Sequence, residues 1–262
     1  MLEKFKETIR RDIEEFIETG KLSKAVELSA KTGQHFNHNE YPLYFTGKLD
    51  AKIALIHLNP KQKNNYADAH KGTLTLQSFE DYFDYHQNFG MYKYGKAASR
   101  THKSPFDHKQ IRFLKQFDVI NFVEVETKED VYTNLERVVD DKLQMELIPY
   151  GSDKFSSKGF TPEILLLHIE RVLDVIAACP RDYVIFCGGI FEELFRSSVT
   201  DIHEFKLTKN SGDSARNKAR FANLRFEYNG RTILAGLAHT FAQQGIPMAD
   251  YGRKCRELYR RY

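Results

Sequence analysis

Apolar residues along this chain follow two rhythms. Leu2, Phe5, Ile9, Ile13, Phe16 and Ile17 recur at intervals of three and four, which predicts an amphipathic helix over 2–18 stopped by Gly20. The other rhythm is the short unbroken run. Residues 52–58, Tyr183–Cys187 and Arg231–Leu237 are apolar stretches bounded by polar or turn-forming residues, and they predict strands buried on both faces. Tyr41–Gly47 reads as extended, Val119–Val125 alternates like a strand, and Gln144–Tyr150 reads as a strand entering the loop Gly151-Ser152-Asp153. Phe221–Tyr228 and Arg231–Leu237 flank Asn229-Gly230, the preferred type I′ hairpin turn.

Helices are predicted between the strands. They cover Ser23 to Lys31, 77–87, Asp107 to Gln116 with Asp107 as N-cap, Lys128 to Lys142, 190–196 after Gly188-Gly189, and 249–261. Thr161-Pro162-Glu163 is a helix start with an N-cap and Pro at the first position, and Ile164, Leu165, His168, Ile169, Val172, Leu173 and Ile176 form its buried face. Strands alternating with helices predict an α/β fold: a three-layer sandwich with a mostly parallel central sheet and an antiparallel hairpin. Residues 1–40 read as an N-terminal helical extension and 41–262 as one α/β domain. Residues 61–106 resist assignment, but Tyr66, Phe79, Tyr82, Phe83, Tyr85 and Phe89 are too dense in aromatic surface for a disordered segment.

Composition narrows the picture. The 262 residues, 41% hydrophobic and 29% charged, suit a soluble globular chain. No apolar stretch approaches the roughly 20 residues of a membrane helix, and the N-terminus lacks a signal-peptide core. Cys179, Cys187 and Cys255 are odd in number and far apart, which suits a reducing cytoplasm and offers no CxxC metal or cluster site. The histidines lack HxxxH or HxH spacing, so neither a metal nor a cofactor is expected. GxGxxG, GxxxxGK[ST] and GxSxG are all missing. The net charge of +3 does not by itself demand a nucleic-acid partner. Local clusters are more telling: Lys206, Lys209, Arg216, Lys218 and Arg220 in one stretch, and Arg253, Lys254, Arg256, Arg260 and Arg261 at the end. They read as solvated surface or as phosphate contacts.

Ligands of open α/β sheets bind beyond the carboxyl ends of the strands. Asn59 and His239 follow two of the buried runs, 180 residues apart in sequence, and are expected to share one cavity. The order of pieces resembles the uracil-DNA glycosylase superfamily. Leu58-Asn59-Pro60 is similar to its first motif in the form where asparagine replaces aspartate, as in mismatch-directed uracil/thymine glycosylases. Met145–Tyr150 is similar to the middle strand, Val184–Gly188 to the next strand and its glycine turn, and Ala238-His239-Thr240-Phe241 to the His-bearing loop. The likeness covers roughly residues 41–260. Four positions depart from it: His57 stands where glycine is usual, Glu146 takes the place of the asparagine common in the middle strand, and Thr240-Phe241 replaces Pro-Ser.

The resemblance implies hydrolysis of the N-glycosidic bond of a flipped base, without metal, with DNA as partner. Asn59 would hold the water and His239 would donate to the base oxygen as charge develops there. Glu146, or Asn121, would read the base edge, with Tyr66 or Phe83 stacking on it. Phe241 and Gln243 would fill the gap in the duplex as a wedge, and Lys206, Lys209, Arg216, Lys218 and Arg253 would hold phosphates. An ionised Glu146 accepts hydrogen bonds only, which suits an exocyclic amine better than a uracil carbonyl. Plainer readings stand beside each assignment: a strand-terminating turn at Asn59, a hydrogen-bonded histidine at His239, packing at Tyr66, Phe83 and Phe241. Two other functions fit the same pattern, a non-catalytic nucleic-acid-binding module and an enzyme acting on a free nucleotide or nucleoside.

Overall fold

The computed structural model describes residues 1–61, 76–100, 104–209 and 211–260, and of Pro162, Arg216 and Asn217 the backbone only. Its helices are α1 (Leu2–Thr19), α2 (Ser23–Thr32), α3 (Phe79–Gln87), α4 (Phe89–Tyr94), α5 (Pro105–Leu114), α6 (Lys128–Asp140), α7 (Pro162–Ala178), α8 (Ile190–Leu194) and α9 (Met248–Leu258). The strands are β1 (Phe45–Gly47), β2 (Ile53–His57), β3 (Leu143–Glu146), β4 (Tyr183–Cys187), β5 (Val199–Thr208), β6 (Ser214–Tyr228) and β7 (Arg231–Ala238). Among these residues no helix is long and apolar enough to cross a membrane.

One seven-stranded sheet has the order β1-β3-β2-β4-β7-β6-β5. Its centre, β3-β2-β4-β7, is parallel throughout. Antiparallel β1 closes one edge, and the antiparallel pair β6 and β5 forms the other. Every residue of β2 and β4 is buried. Alternation along β2 sends Ala54 and Ile56 into one hydrophobic cluster and Ile53 and Leu55 into another. The first cluster holds apolar residues of α1, α2 and α7, the second those of α5, α6 and α9. Three layers result, an α/β sandwich.

Local chemistry fixes the helix ends. Thr161 Oγ1 accepts from Ile164 N at 3.4 Å, capping α7 ahead of Pro162. Thr127 and Asp130 form a reciprocal capping box on α6. Helix α1 is bound into the body through Asp12, 1% exposed, which takes hydrogen bonds from Tyr44 and Tyr150 and an ion pair from Lys24 at 2.5 Å.

Three expectations need correction. Val119–Val125 forms no strand and pairs with none. The Asn134 side chain receives Val123 N–H at 2.9 Å and donates to Val123 O at 2.9 Å, supplying the bonds a neighbouring strand would. Asp107 is not the cap of α5. Ser104 is, accepting from Asp107 N at 3.3 Å, while the Asp107 carboxylate turns inward to Tyr94 and Lys93. The basic stretch 206–220 is not a loop but the turn end of a hairpin, with Lys206 opposite Lys218. Ala222 of β6 is level with Leu237 near the carboxyl end of β7. Residues 214–220 therefore run on past the carboxyl end of β7, still paired with β5, for roughly 23 Å at the usual strand rise. The result is a basic arm on the side where the parallel strands end.

Candidate active site at the carboxyl ends of the parallel strands

A cavity of about 610 Å³ opens at the carboxyl ends of β2 and β3. Asn59, Pro60, Lys61, Ser152 and Asp153 line its mouth side. Its floor is one face of β3, where the two-residue period of a strand aligns Lys142, Gln144 and Glu146. Phe89, Phe106 and Asp107 line the helical wall. A second cleft of about 370 Å³ lies on the other face of the sheet, between α1, α2 and α7, away from the strand ends.

Asn59 is oriented by its surroundings. Its Nδ2 donates to Ser152 Oγ at 2.7 Å, Pro60 O at 3.2 Å and Tyr150 O at 3.5 Å. Three acceptors around the amide nitrogen settle which end of the carboxamide is which. Among the described residues nothing donates to its Oδ1, which is left to accept from a water or a ligand.

Glu146 is 3% exposed, and Gln144 Nε2 donates to its Oε1 at 3.0 Å. Its Oε2 is buried without a partner. Burial raises the carboxyl pKa to about 8, against the smaller lowering effects of Gln144 and Lys142. At neutral pH the group is mainly a carboxylic acid, so Oε2 can donate a proton to a carbonyl. The ionised form, which only accepts hydrogen bonds, would instead suit an amino group.

Lys142, Gln110 and His57 complete the floor. Lys142 is 1% exposed, and burial lowers its pKa to about 8 despite the opposing pull of Asp107 and Asp140. Gly47, at φ 81°, lets β1 lie against the Lys142 carbonyl; a Cβ there would sit 1.9 Å from that oxygen. Gln110 Nε2 donates to Gln144 Oε1 at 3.0 Å and lies 3.5 Å from His57 Nε2. Burial, with a contribution from Lys142, lowers the His57 pKa to about 3, so this ring is neutral. It packs edge-on against Phe106 and Phe241, filling the space a glycine would have left open.

His239 does not line this cavity. It borders a separate pocket of about 180 Å³ with Glu192, Arg220 and Gln243, and Thr240 is shared by both. Its Nε2 accepts from Arg220 N–H at 3.0 Å, and its own backbone N–H donates to Tyr251 Oη at 2.7 Å. Tyr251 Oη in turn donates to Arg220 O at 2.8 Å. The imidazole thus secures the root of the basic arm. Between it and the cavity lies Phe241, 2% exposed and packed on His57, Phe106 and Phe113. Phe241 is core and not a wedge.

The remaining candidates fall in several places. Phe83 packs against Phe45 and Phe79 on the other side of the sheet and is no stacking platform for this cavity. Asn121 lies exposed in the segment 119–124, which borders a different depression, and its carbonyl accepts from Arg137. Tyr66 and the Arg216 side chain lie outside the described residues. Gln243 is exposed beside His239. Lys206, Lys209 and Lys218 are exposed on the arm, Lys218 within 3.8 Å of Glu204. Arg253 is paired with Asp250 at 2.5 Å and Glu257 at 2.7 Å. Among the described residues no group of three or more His, Cys, Asp or Glu is placed to hold a metal ion.

Sequence reading missed Lys142, Asp107, Gln110 and Gln144. The two-residue period counted back from Glu146 was the available signal for Gln144 and Lys142; nothing local marked Asp107 and Gln110. Compared with protein-family models, with curated proteins and with solved structures, the chain matches none of them.

Proposed function

We propose that this chain is a diverged uracil-DNA-glycosylase-like protein whose cavity takes up a flipped base from DNA and hydrolyses its N-glycosidic bond. The carrying observation is the joint placement of Asn59 and Glu146. An oriented amide whose Oδ1 receives no hydrogen bond among the described residues lines one side of a cavity, and a carboxyl with an unpaired Oε2 lies at its floor. The order of strands supports the same reading. The four segments that carry the resemblance lie at or just past the carboxyl ends of the four parallel strands, which are contiguous in the sheet and point the same way.

In this scheme Asn59 Oδ1 accepts from the attacking water and positions it; an amide does not take its proton. Glu146 Oε2–H donates to the base carbonyl on which negative charge develops, the part expected of His239. The basic arm beside the cavity gives the sugar-phosphate backbone a place to lie.

A second reading, base binding without hydrolysis, is favoured by one contact: His239 Nε2 is occupied by Arg220 N–H. Oligonucleotides carrying uracil, hypoxanthine, xanthine or mismatched thymine distinguish the two. Release of a free base that falls at least a hundredfold in Asn59→Ala and Glu146→Gln supports hydrolysis. Salt-dependent binding without abasic sites supports the second reading. Failure to bind any of these DNAs removes both.

A further inference from the structure

The cavity is longer than a base needs, and its inner end is chemically distinct. Lys142 and Glu146 share the floor at opposite ends of β3, four residues or about 13 Å apart along the strand. The Lys142 stem covers part of that span. A ring hydrogen-bonded to Glu146 does not itself meet the amine.

Lys142 lines this space, and among the described residues no acceptor takes a hydrogen bond from its Nζ. The two carboxylates whose charge acts on it most are engaged elsewhere. Asp107 Oδ2 accepts from Tyr94 Oη at 2.5 Å and pairs with Lys93 at 2.9 Å. Asp140 accepts from the Gly90 and Met91 N–H groups at 2.5 and 2.9 Å. A buried amine that lines a cavity and lacks an acceptor leaves the desolvation of its charge uncompensated until something enters. A carboxylate oxygen supplies what is missing, a charge-assisted acceptor.

We infer that Lys142 forms a subsite for a carboxylate on the ligand, so that the preferred ligand is a base extended by a short substituent ending in that group. This rests on the base-binding reading above and names a ligand class for it.

Calorimetric titration of the full chain tests the subsite with free bases: uracil, 5-carboxymethyluracil, 6-carboxymethyluracil and the neutral 5-carboxamidomethyluracil. One of the two acids is expected to bind at least tenfold tighter than uracil, and the neutral amide to gain less than threefold. In Lys142→Met, a variant of similar shape without the amine, the ratio of acid to uracil affinity is expected to fall to about one. Uracil binding with no advantage for either acid overturns the subsite and leaves the base-binding reading standing. So does an advantage that survives in folded Lys142→Met, or one that the neutral amide shares. No binding by any of the four overturns both. If Lys142→Met does not fold, the comparison of acid with amide on the native chain decides alone.

Discussion

The ends of β2 and β7 look alike in sequence and differ in what they serve. Each is an apolar strand running into a polar residue, Asn59 after one and His239 after the other. Asn59 fixes its amide nitrogen on Ser152, Pro60 and Tyr150, and thereby leaves its oxygen to the cavity. His239 gives its acceptor nitrogen to Arg220 N–H and so holds β6, the strand that continues into the basic arm. Strand position brings a polar side chain to the ligand-binding edge; the hydrogen bonds already made there decide what remains for a ligand. With Phe241 packed between them, the two ends divide the edge into the cavity beside Asn59 and the root of the arm.

Removing the partition gives the largest expected effect. Phe241→Ala deletes a buried ring packed on His57, Phe106 and Phe113, and such truncations cost about 3–5 kcal/mol. For a chain of this size the midpoint of thermal unfolding should fall by roughly 10 °C. A fall of only one or two degrees would show that Phe241 is no wall between the two strand ends.

Glu146 sharpens the contrast through pH. Its folded pKa of about 8 lies above the ordinary 4.5, so between those values the folded chain holds a proton that the unfolded chain has lost. Its contribution to stability is whole below pH 4.5, declines as pH rises, and is gone above about 8. His57, held near 3, acts in the opposite sense between 6.5 and 3, so the native curve mixes both. Subtraction against Glu146→Gln isolates the carboxyl. The variant should gain on the native chain by a few kcal/mol between pH 5 and pH 8. Parallel melting curves across that range would place Glu146 in contact with water.

What could be read from sequence divides along similar lines. The buried strands, α7 with its Thr161-Pro162 start and the Asn229-Gly230 hairpin were legible because each carries a complete local signal. Asn229 and Gly230 do adopt the positive φ, 49° and 72°, that such a turn requires. Val119–Val125 misled because alternation alone does not show that a neighbouring strand pairs with a segment; the pairing groups came from Asn134, eleven residues on. Strand β5 was hidden because Val199–Thr208 scatters apolar residues over both faces, as an edge strand with exposed Ile202 and half-buried Phe205 can. Asn59 and Glu146 were legible as strand-end residues. Gln110 and Asp107 were not, since each joins the floor or wall by tertiary packing and not by spacing from either motif; Lys142 was hidden because the helix expected over 128–142 ends on it, although it stands two strand periods before Glu146.

His239→Ala should leave Arg220 N–H without its acceptor, a loss of about 1–3 kcal/mol. On the function proposed above, affinity for a free base should stay within twofold, because His239 does not line the cavity beside Asn59. Affinity for DNA should fall with the loosened arm. A variant that loses free-base binding while keeping DNA affinity would reverse the roles assigned to the two strand ends.

The arm itself gives the smallest effect on stability and the most specific one on binding. Lys206 and Lys218 are exposed and opposite each other on β5 and β6, and replacing exposed side chains of this kind changes stability by less than about 0.5 kcal/mol. If the arm lies along phosphates, the double variant Lys206→Ala/Lys218→Ala should weaken binding equally for all sequences. It should also lower the slope of log affinity against log salt by about two, one for each lysine that no longer meets a phosphate. Binding of a free base in the cavity should not respond, because no described residue of the arm lines it. An unchanged salt slope would show that these lysines are solvated surface, and DNA would then have to reach the cavity across another face.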